Sequence, residues 1–124
     1  MKYNSGLSEN EWYIMQILWE HAPATLRGIC EALKEKKGWT KHAVTSFLKR
    51  MLEKGAISVD ESGKVRTYSP IWEKEDTILE ETHSILDRVY RGDLFLMVSH
   101  AVKEQKLTKE EIDELKSLLD NMDR

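Results

Sequence analysis

Residues 40–55 read Thr-Lys-His-Ala-Val-Thr-Ser-Phe-Leu-Lys-Arg-Met-Leu-Glu-Lys-Gly, and the spacing of this stretch decides the fold. Thr40 is a residue type that caps helix N-termini, Val44, Phe47, Leu48, Met51 and Leu52 recur at three- and four-residue intervals, and Gly55 supplies a stop. The spacing predicts an amphipathic helix whose opposite face is polar and basic. Directly after it the period changes. Ile57 and Val59 alternate with polar residues, Glu61-Ser62-Gly63-Lys64 reads as a turn, and Val65 to Ser69 reads as a returning strand ended by Pro70. A basic amphipathic helix is therefore followed at once by a β-hairpin.

Working towards the N-terminus, Gly38 ends a preceding helix with a lysine-rich last turn, capped by Thr25 and carrying Leu26, Ile29, Cys30 and Leu33. Before that, Ser8 with Glu11 forms a capping box, and Leu7 with Trp12 forms a hydrophobic staple. These open a helix with apolar positions Trp12, Met15, Leu18 and Trp19, and Pro23 stops it past His21. Three such helices joined by short turns give the tri-helical core of a helix-turn-helix protein, to which the hairpin adds a wing.

Towards the C-terminus, the acidic stretch Glu73 to Asp76 opens a helix expected to run through Tyr90, closed by Gly92. A fifth helix carries Leu94, Phe95, Met97, Val98, Ala101 and Val102. A second capping box, Thr108 with Glu111, opens a sixth bearing Ile112, Leu115, Leu118, Leu119 and Met122. The expected fold is thus mainly α with a small β-hairpin: a winged helix-turn-helix head over residues 1–72 and a helical dimerisation tail over residues 73–124.

Composition narrows the function. A chain of 124 residues that is 40% hydrophobic and 33% charged folds in water. No apolar run approaches the roughly 20 residues that cross a bilayer, and the polar start Met1 to Asn10 lacks a signal peptide's apolar stretch, so the expected compartment is the cytoplasm. The single cysteine, Cys30, can form neither an intramolecular disulfide nor a structural zinc site, and reads as a small buried apolar residue. His21, His42, His83 and His100 lie far apart without a metal-ligand or catalytic-triad spacing, and no phosphate-cradling glycine motif is present. Neither an enzyme nor a metal or other cofactor is expected.

Charge distinguishes the two halves. Residues 1–72 carry 11 Lys and Arg against 8 Asp and Glu, a balance of +3, whereas residues 73–124 carry 8 against 14, a balance of −6. Only the first half suits a polyanion. Its positive charge is concentrated at Lys34, Lys36, Lys37, Lys41, Lys49, Arg50 and Lys54, against Glu35 and Glu53.

The polar face of the third helix presents Lys41, His42, Thr45, Ser46, Lys49 and Arg50. Lys and Arg neutralise phosphates and read guanine edges, and Thr and Ser approach bases without filling a groove, so these types suit double-stranded DNA. They also suit an ordinary solvated face, or a winged-helix module that contacts protein and has no specific DNA binding. Lys64 and Arg66 on the wing are placed to reach a neighbouring phosphate backbone, while Arg66 could equally pair with a carboxylate of the first helix. In the tail, Leu94, Phe95, Val98 and Val102 of the fifth helix and Ile112, Leu115, Leu118 and Leu119 of the sixth form apolar stripes. An extension of that size does not easily bury such stripes against itself, so a second copy of the chain is the expected partner, the alternative being a tail folded back on its own winged domain.

The stretches Glu11-Trp12-Tyr13-Ile14-Met15-Gln16-Ile17-Leu18-Trp19, Trp39-Thr40, Val44 to Gly55, Tyr68 with Pro70, and Leu107 to Ile112 with Leu115 together resemble the BlaI/MecI/CopY family, the penicillinase repressor family. The resemblance covers nearly the whole chain. It implies a winged-helix head, a helical dimerisation tail and repression from palindromic operators, with Lys41, His42, Thr45, Ser46, Lys49 and Arg50 on the recognition helix. It also raises a regulatory protease as a partner, since penicillinase and methicillin-resistance repressors are released by cutting an Asn-Phe bond in the fifth helix. Here the matching positions are His100-Ala101, so the standard cleavage signal is missing. Copper-responsive members end in cysteine pairs. This chain ends Leu118-Leu119-Asp120-Asn121-Met122-Asp123-Arg124, and copper sensing is not expected.

Overall fold

The computed structural model describes residues 6–123; residues 1–5 and 124, and the side chains of Glu35, Lys36 and Lys37, lie outside the described residues. Part of the polar start and much of the lysine-rich turn before Gly38 therefore fall outside it. In chain order the elements are α1 (Glu9–His21), β1 (Ala24–Thr25), α2 (Leu26–Lys37), α3 (Lys41–Glu53), β2 (Ile57–Asp60), β3 (Thr67–Pro70), α4 (Lys74–Arg88), α5 (Leu94–Glu104) and α6 (Lys109–Asn121). The contacts divide the chain into two compact units, one ending at His83 and the other beginning at Ser84, inside α4.

In the first unit, α1 starts where its capping box dictates. Ser8 Oγ accepts from the Glu11 N–H at 3.3 Å, and Glu11 Oε1 accepts from the Ser8 N–H at 2.9 Å. The face buried from α1 is Glu11, Ile14, Met15 and Leu18. Trp12 and Trp19, expected on the buried stripe, are only half-buried and stack near each other with ring centroids 6.0 Å apart. Indole rings at the edge of a small core leave part of their large surface in solvent, whereas Ile14 and Met15 fit wholly inside.

The core is completed by Ile29 and Leu33 of α2, by Val44, Leu48 and Met51 of α3, and by Ala56, Ile57 and Tyr68 around the sheet. Burying each large aliphatic side chain contributes about 1.5–3 kcal/mol against leaving it in water. The α2–α3 turn depends on Gly38, whose φ of 61° is left-handed, and the exit from α3 on Gly55, at φ 77°. At Gly55 the Ala56 N–H donates to the Met51 carbonyl at 3.0 Å, turning the chain into β2.

The sheet is three-stranded and antiparallel, ordered β1-β3-β2. Two expectations are corrected. The returning strand begins at Thr67, opposite Asp60, and the residues from Val65 to Arg66 belong to the turn, where Val65 is 61% exposed. A further strand, β1, pairs Ala24 with Tyr68 and Thr25 with Thr67. Two residues are too few to carry an alternating pattern, and only the tertiary contact with β3 makes them a strand. After the sheet, the Trp19 indole N–H donates to the Trp72 carbonyl at 3.0 Å, tying α1 to the segment that leaves the wing.

Among the described residues of this unit, the buried charged group is Glu11, 1% exposed. Its carboxylate pairs with the Lys54 ammonium, which also donates to the Gly6 carbonyl. The N-terminus of α1 is thereby bound to the C-cap of α3.

In the second unit, α4 ends at Arg88, two residues short of the expected Tyr90, where the Gly92 N–H donates to the Leu86 carbonyl at 2.9 Å. Asp93 caps α5, which extends past Val102 to Glu104, and Thr108 with Glu111 forms the capping box of α6. Neither α5 nor α6 contributes a buried residue.

Replacing Lys54 by Met strands the Glu11 carboxylate out of water without its counter-charge. The full chain is then expected to lose roughly 2–3 kcal/mol in urea unfolding. Glu11→Gln added to Lys54→Met should recover part of that loss, because the amide keeps a capping acceptor and needs no cation. Equal stability of the single and double variants at matched protein concentration would count against this account.

Candidate nucleic-acid interface

The exposed face of α3 follows from its buried one. Val44, Leu48 and Met51 are buried four and then three residues apart, which turns the rows Lys41–Thr45–Lys49 and His42–Ser46–Arg50 outwards. All six of these side chains are exposed. Thr40 caps the helix by accepting from the Ala43 N–H at 3.1 Å. The Thr45 hydroxyl donates to the Lys41 carbonyl at 2.9 Å, so toward a ligand it presents an acceptor and a methyl group and no free proton. Of the basic cluster read from the sequence, Lys54 is committed to Glu11 and points its charge into the fold.

The wing is shaped by a side-chain lock. Asp60 accepts from the Ser62 hydroxyl at 2.6 Å and from the Ser62 N–H at 2.9 Å. These bonds, the hydroxyl's first, hold the Asp60 carboxyl below its ordinary value. Arg66 Nε lies 2.9 Å from Glu61 Oε1. Its partner is a wing carboxylate and not one of α1, and an exposed pair of this kind is worth about 0–1 kcal/mol. Lys64 has no ion-pair partner among the described residues.

Four of the eight expected DNA-contact residues meet around one cleft of about 740 Å³: Lys41 and Thr45 from α3, and Lys64 and Arg66 from the wing. His42, Ser46, Lys49 and Arg50 lie on the same exposed face of α3 but outside the cleft. The cleft's third wall is the start of α2, with Thr25, Leu26, Arg27 and Cys30. Sequence reasoning missed Arg27 because β1 was missed, and it is the β1–β3 pairing that sets the first turn of α2 beside the wing. Arg27 makes an exposed i,i+4 pair with Glu31 at 3.3 Å. Cys30 is half-buried and packs against the core.

In the second unit, Leu94, Phe95, Val98 and Val102 of α5 and Ile112, Leu118 and Leu119 of α6 are exposed, Phe95 by 82%, while Leu115 is half-buried. Tyr90 Oη lies 3.2 Å from His100 Nδ1, and His100 and Ala101 are both exposed. Among the described residues no group of three His, Cys, Asp or Glu side chains is placed to hold a metal ion, and no helix is long and apolar enough to cross a membrane.

A family model described as penicillinase repressor matches residues 7–121. The penicillinase repressor of Bacillus licheniformis is 30% identical over 120 residues, covering 97% of this chain and 94% of that protein. The methicillin resistance regulatory protein MecI of Staphylococcus aureus (strain N315) is 26% identical over 113 residues, covering 91% of this chain and 92% of that protein. Among solved structures, the monomeric form of Bacillus licheniformis BlaI in complex with the blaP half-operator superposes with a TM-score of 0.53 at 25% identity, covering 61% of this chain and 93% of that one.

The wing lock gives a pH-dependent observable. Because the folded Asp60 carboxyl titrates below its ordinary value, the charged lock is intact at neutral pH and is lost only as pH falls through that depressed value. Carbon-13 titration of the Asp60 carboxyl should show the low midpoint in the wild type and a rise toward the ordinary range in Ser62→Ala. An unmoved midpoint in the variant would rule out the hydroxyl as the cause.

Proposed function

The chain belongs to the penicillinase repressor family, and on that premise we propose that it is a cytoplasmic, non-enzymatic transcriptional repressor that binds a palindromic operator as a homodimer and keeps nearby genes off. Residues 1–72 serve as the DNA-binding domain and residues 73–124 as the dimerisation domain. The observation that carries this reading is the convergence of Lys41 and Thr45 with Lys64 and Arg66 around one cleft, with the remaining exposed cations of α3 beside it.

A helix of 13 residues is about 20 Å long, which suits the major groove of B-form DNA. Entering with its N-terminal end, α3 brings Lys41, His42, Thr45 and Ser46 nearest the base edges. Lys49 and Arg50, farther along, hold phosphates. Thr45 offers an acceptor and a methyl group, which fit a cytosine amino group or a thymine methyl. On the wing, Lys64 and Arg66 reach the adjoining backbone or minor groove.

The second copy enters through the apolar surface of α5 and α6, built from Leu94, Phe95, Val98, Val102, Ile112, Leu115, Leu118 and Leu119. A two-fold dimer offers two heads to two half-sites. Once one head is bound the other binds intramolecularly, an avidity gain on the order of 10² or more. Release then needs only the loss of dimerisation. A regulatory protease acting in α5 would achieve it, but with His100-Ala101 at the expected position, a peptidase selective for Asn-Phe leaves this chain intact.

Two measurements test the reading. Lys49→Ala should weaken binding to specific and random DNA alike and lower the salt slope by about 1, while a bulky residue at Thr45 or Ser46 should change sequence preference. Titrations on both DNA types at several salt concentrations separate these effects. Salt-independent binding, or none, would point instead to a protein-contacting module. The dimer is tested by Leu118→Asp and Leu115→Asp, which should give monomers in light scattering at micromolar concentration. A wild-type monomer under those conditions would contradict the use assigned to the α5 and α6 faces.

A further inference from the structure

We propose that the cleft between α2, α3 and the wing is a binding site for a small hydrophobic carboxylate, and that its occupation displaces DNA. The volume of about 740 Å³ lies in the range of small-molecule sites. Its lining combines two chemistries. Leu26, Cys30, Val65 and Tyr68 supply apolar surface, and Arg27, Lys41, Lys64 and Arg66 supply positive charge, with no Asp or Glu among the lining residues.

The cations alone would be satisfied by a nucleic-acid backbone, but the apolar surface would not. A phosphate gains nothing from Leu26, Cys30 or Val65, whereas an apolar body placed on them removes their surface from water. Val65 is the informative residue. It is the sole apolar side chain in the segment from Glu61 to Arg66 and is 61% exposed, in a turn whose other members are polar or glycine. A valine there stabilises neither the sheet nor a phosphate contact, but it does face the same cleft as Leu26 and Cys30.

The charge of the occupant follows from which cations are free. Lys41 and Lys64 have no ion-pair partner among the described residues, and the exposed pairs Arg27–Glu31 and Arg66–Glu61 open at little cost. One carboxylate bound between Lys41 and Lys64 gains charge-assisted hydrogen bonds while its apolar body lies on Leu26, Cys30 and Val65. Arginine side chains at the rim can also stack on a flat ring. Because Lys41, Thr45, Lys64 and Arg66 are shared with the proposed DNA interface, the two occupants exclude each other. The displacement rests on the DNA-binding reading, while the carboxylate site itself does not.

The test uses the full chain with 2-naphthoate as probe, its neutral analogue 2-naphthamide as control, and assigned amide resonances as the map of binding. Saturable binding of one naphthoate per chain is expected, with shifts centred on Cys30, Val65 and Tyr68. The amide should bind at least about tenfold more weakly for want of the charge-assisted bonds. Val65→Glu, a change at an exposed turn position that leaves the fold intact, should weaken naphthoate by a similar factor through repulsion and loss of apolar contact. Cys30→Trp, which fills the cleft, should abolish binding if it folds. Equal affinity for the amide, shifts confined to α5 and α6, or unchanged binding in Val65→Glu would overturn the site. A second arm follows a labelled operator fragment. Naphthoate should raise the apparent Kd for DNA in the wild type and not in Val65→Glu. Naphthoate and DNA bound together without competition would overturn the displacement. Naphthoate binding by a chain that ignores DNA would overturn the DNA-binding reading and leave the carboxylate site standing.

Discussion

A carboxylate held out of water must be given hydrogen bonds and a counter-charge, and in the first unit that requirement falls on Glu11. Its side chain is 1% exposed and answers to two distant parts of the chain at once. Locally it accepts from the Ser8 N–H and so defines where α1 begins. Over the fold it receives Lys54, from the C-cap of α3. The two ends of the tri-helical core are therefore bound through one buried group, and the axis along which α3 presents its outward face is set from its C-terminal end. A buried ion pair is weak evidence of net stability, since desolvation offsets much of the attraction. Any packing that separates α1 from Lys54 leaves the buried carboxylate without its counter-charge, and breaking such a pair is costly.

The other end of α3 is positioned by backbone. β1 contributes two residues, yet its pairing with β3 brings the first turn of α2 and the wing together. The cleft that gathers Arg27, Lys41, Lys64 and Arg66 exists because three short elements converge there. The hairpin is anchored on the helices through Ile57 and Tyr68, and β1 adds a third strand on its other edge. β1 flanks β3 on the side away from β2, and Asp60 holds Ser62 in the turn that leads to the wing cations Lys64 and Arg66.

The two units manage apolar surface in opposite ways. The first closes a core in which Ile14, Met15, Leu18, Ile29, Val44 and Met51 are fully buried. In the second, α5 and α6 leave leucine, valine and phenylalanine side chains in solvent along faces as regular as those buried in the first. Such contiguous exposed apolar surface is characteristic of an interaction face. The tail carries a balance of −6 against +3 for residues 1–72, so the two halves of the chain differ in charge as well as in packing.

Much of this protein was legible in order of residues alone. Capping boxes at Ser8 and Thr108, the caps at Thr25 and Thr40, and the stops at Gly38 and Gly55 are local chemistry, and the helices begin and end close to where they direct. The outward face of α3 was equally legible, because helical periodicity fixes which side chains oppose Val44, Leu48 and Met51. What only tertiary structure decided involves residues brought together from far apart in sequence. Lys54 looked like part of a basic surface and proved to be the partner of Glu11, 43 positions away. Val65 looked like a strand residue and stands exposed in a turn, because the register of β2 and β3 starts the strand at Thr67. Arg27 acquired a place beside the wing through a two-residue strand. Local preferences select helices and turns from neighbouring residues, whereas ion pairs, strand register and clefts are set by which distant segments meet, and that is fixed only when the whole core closes.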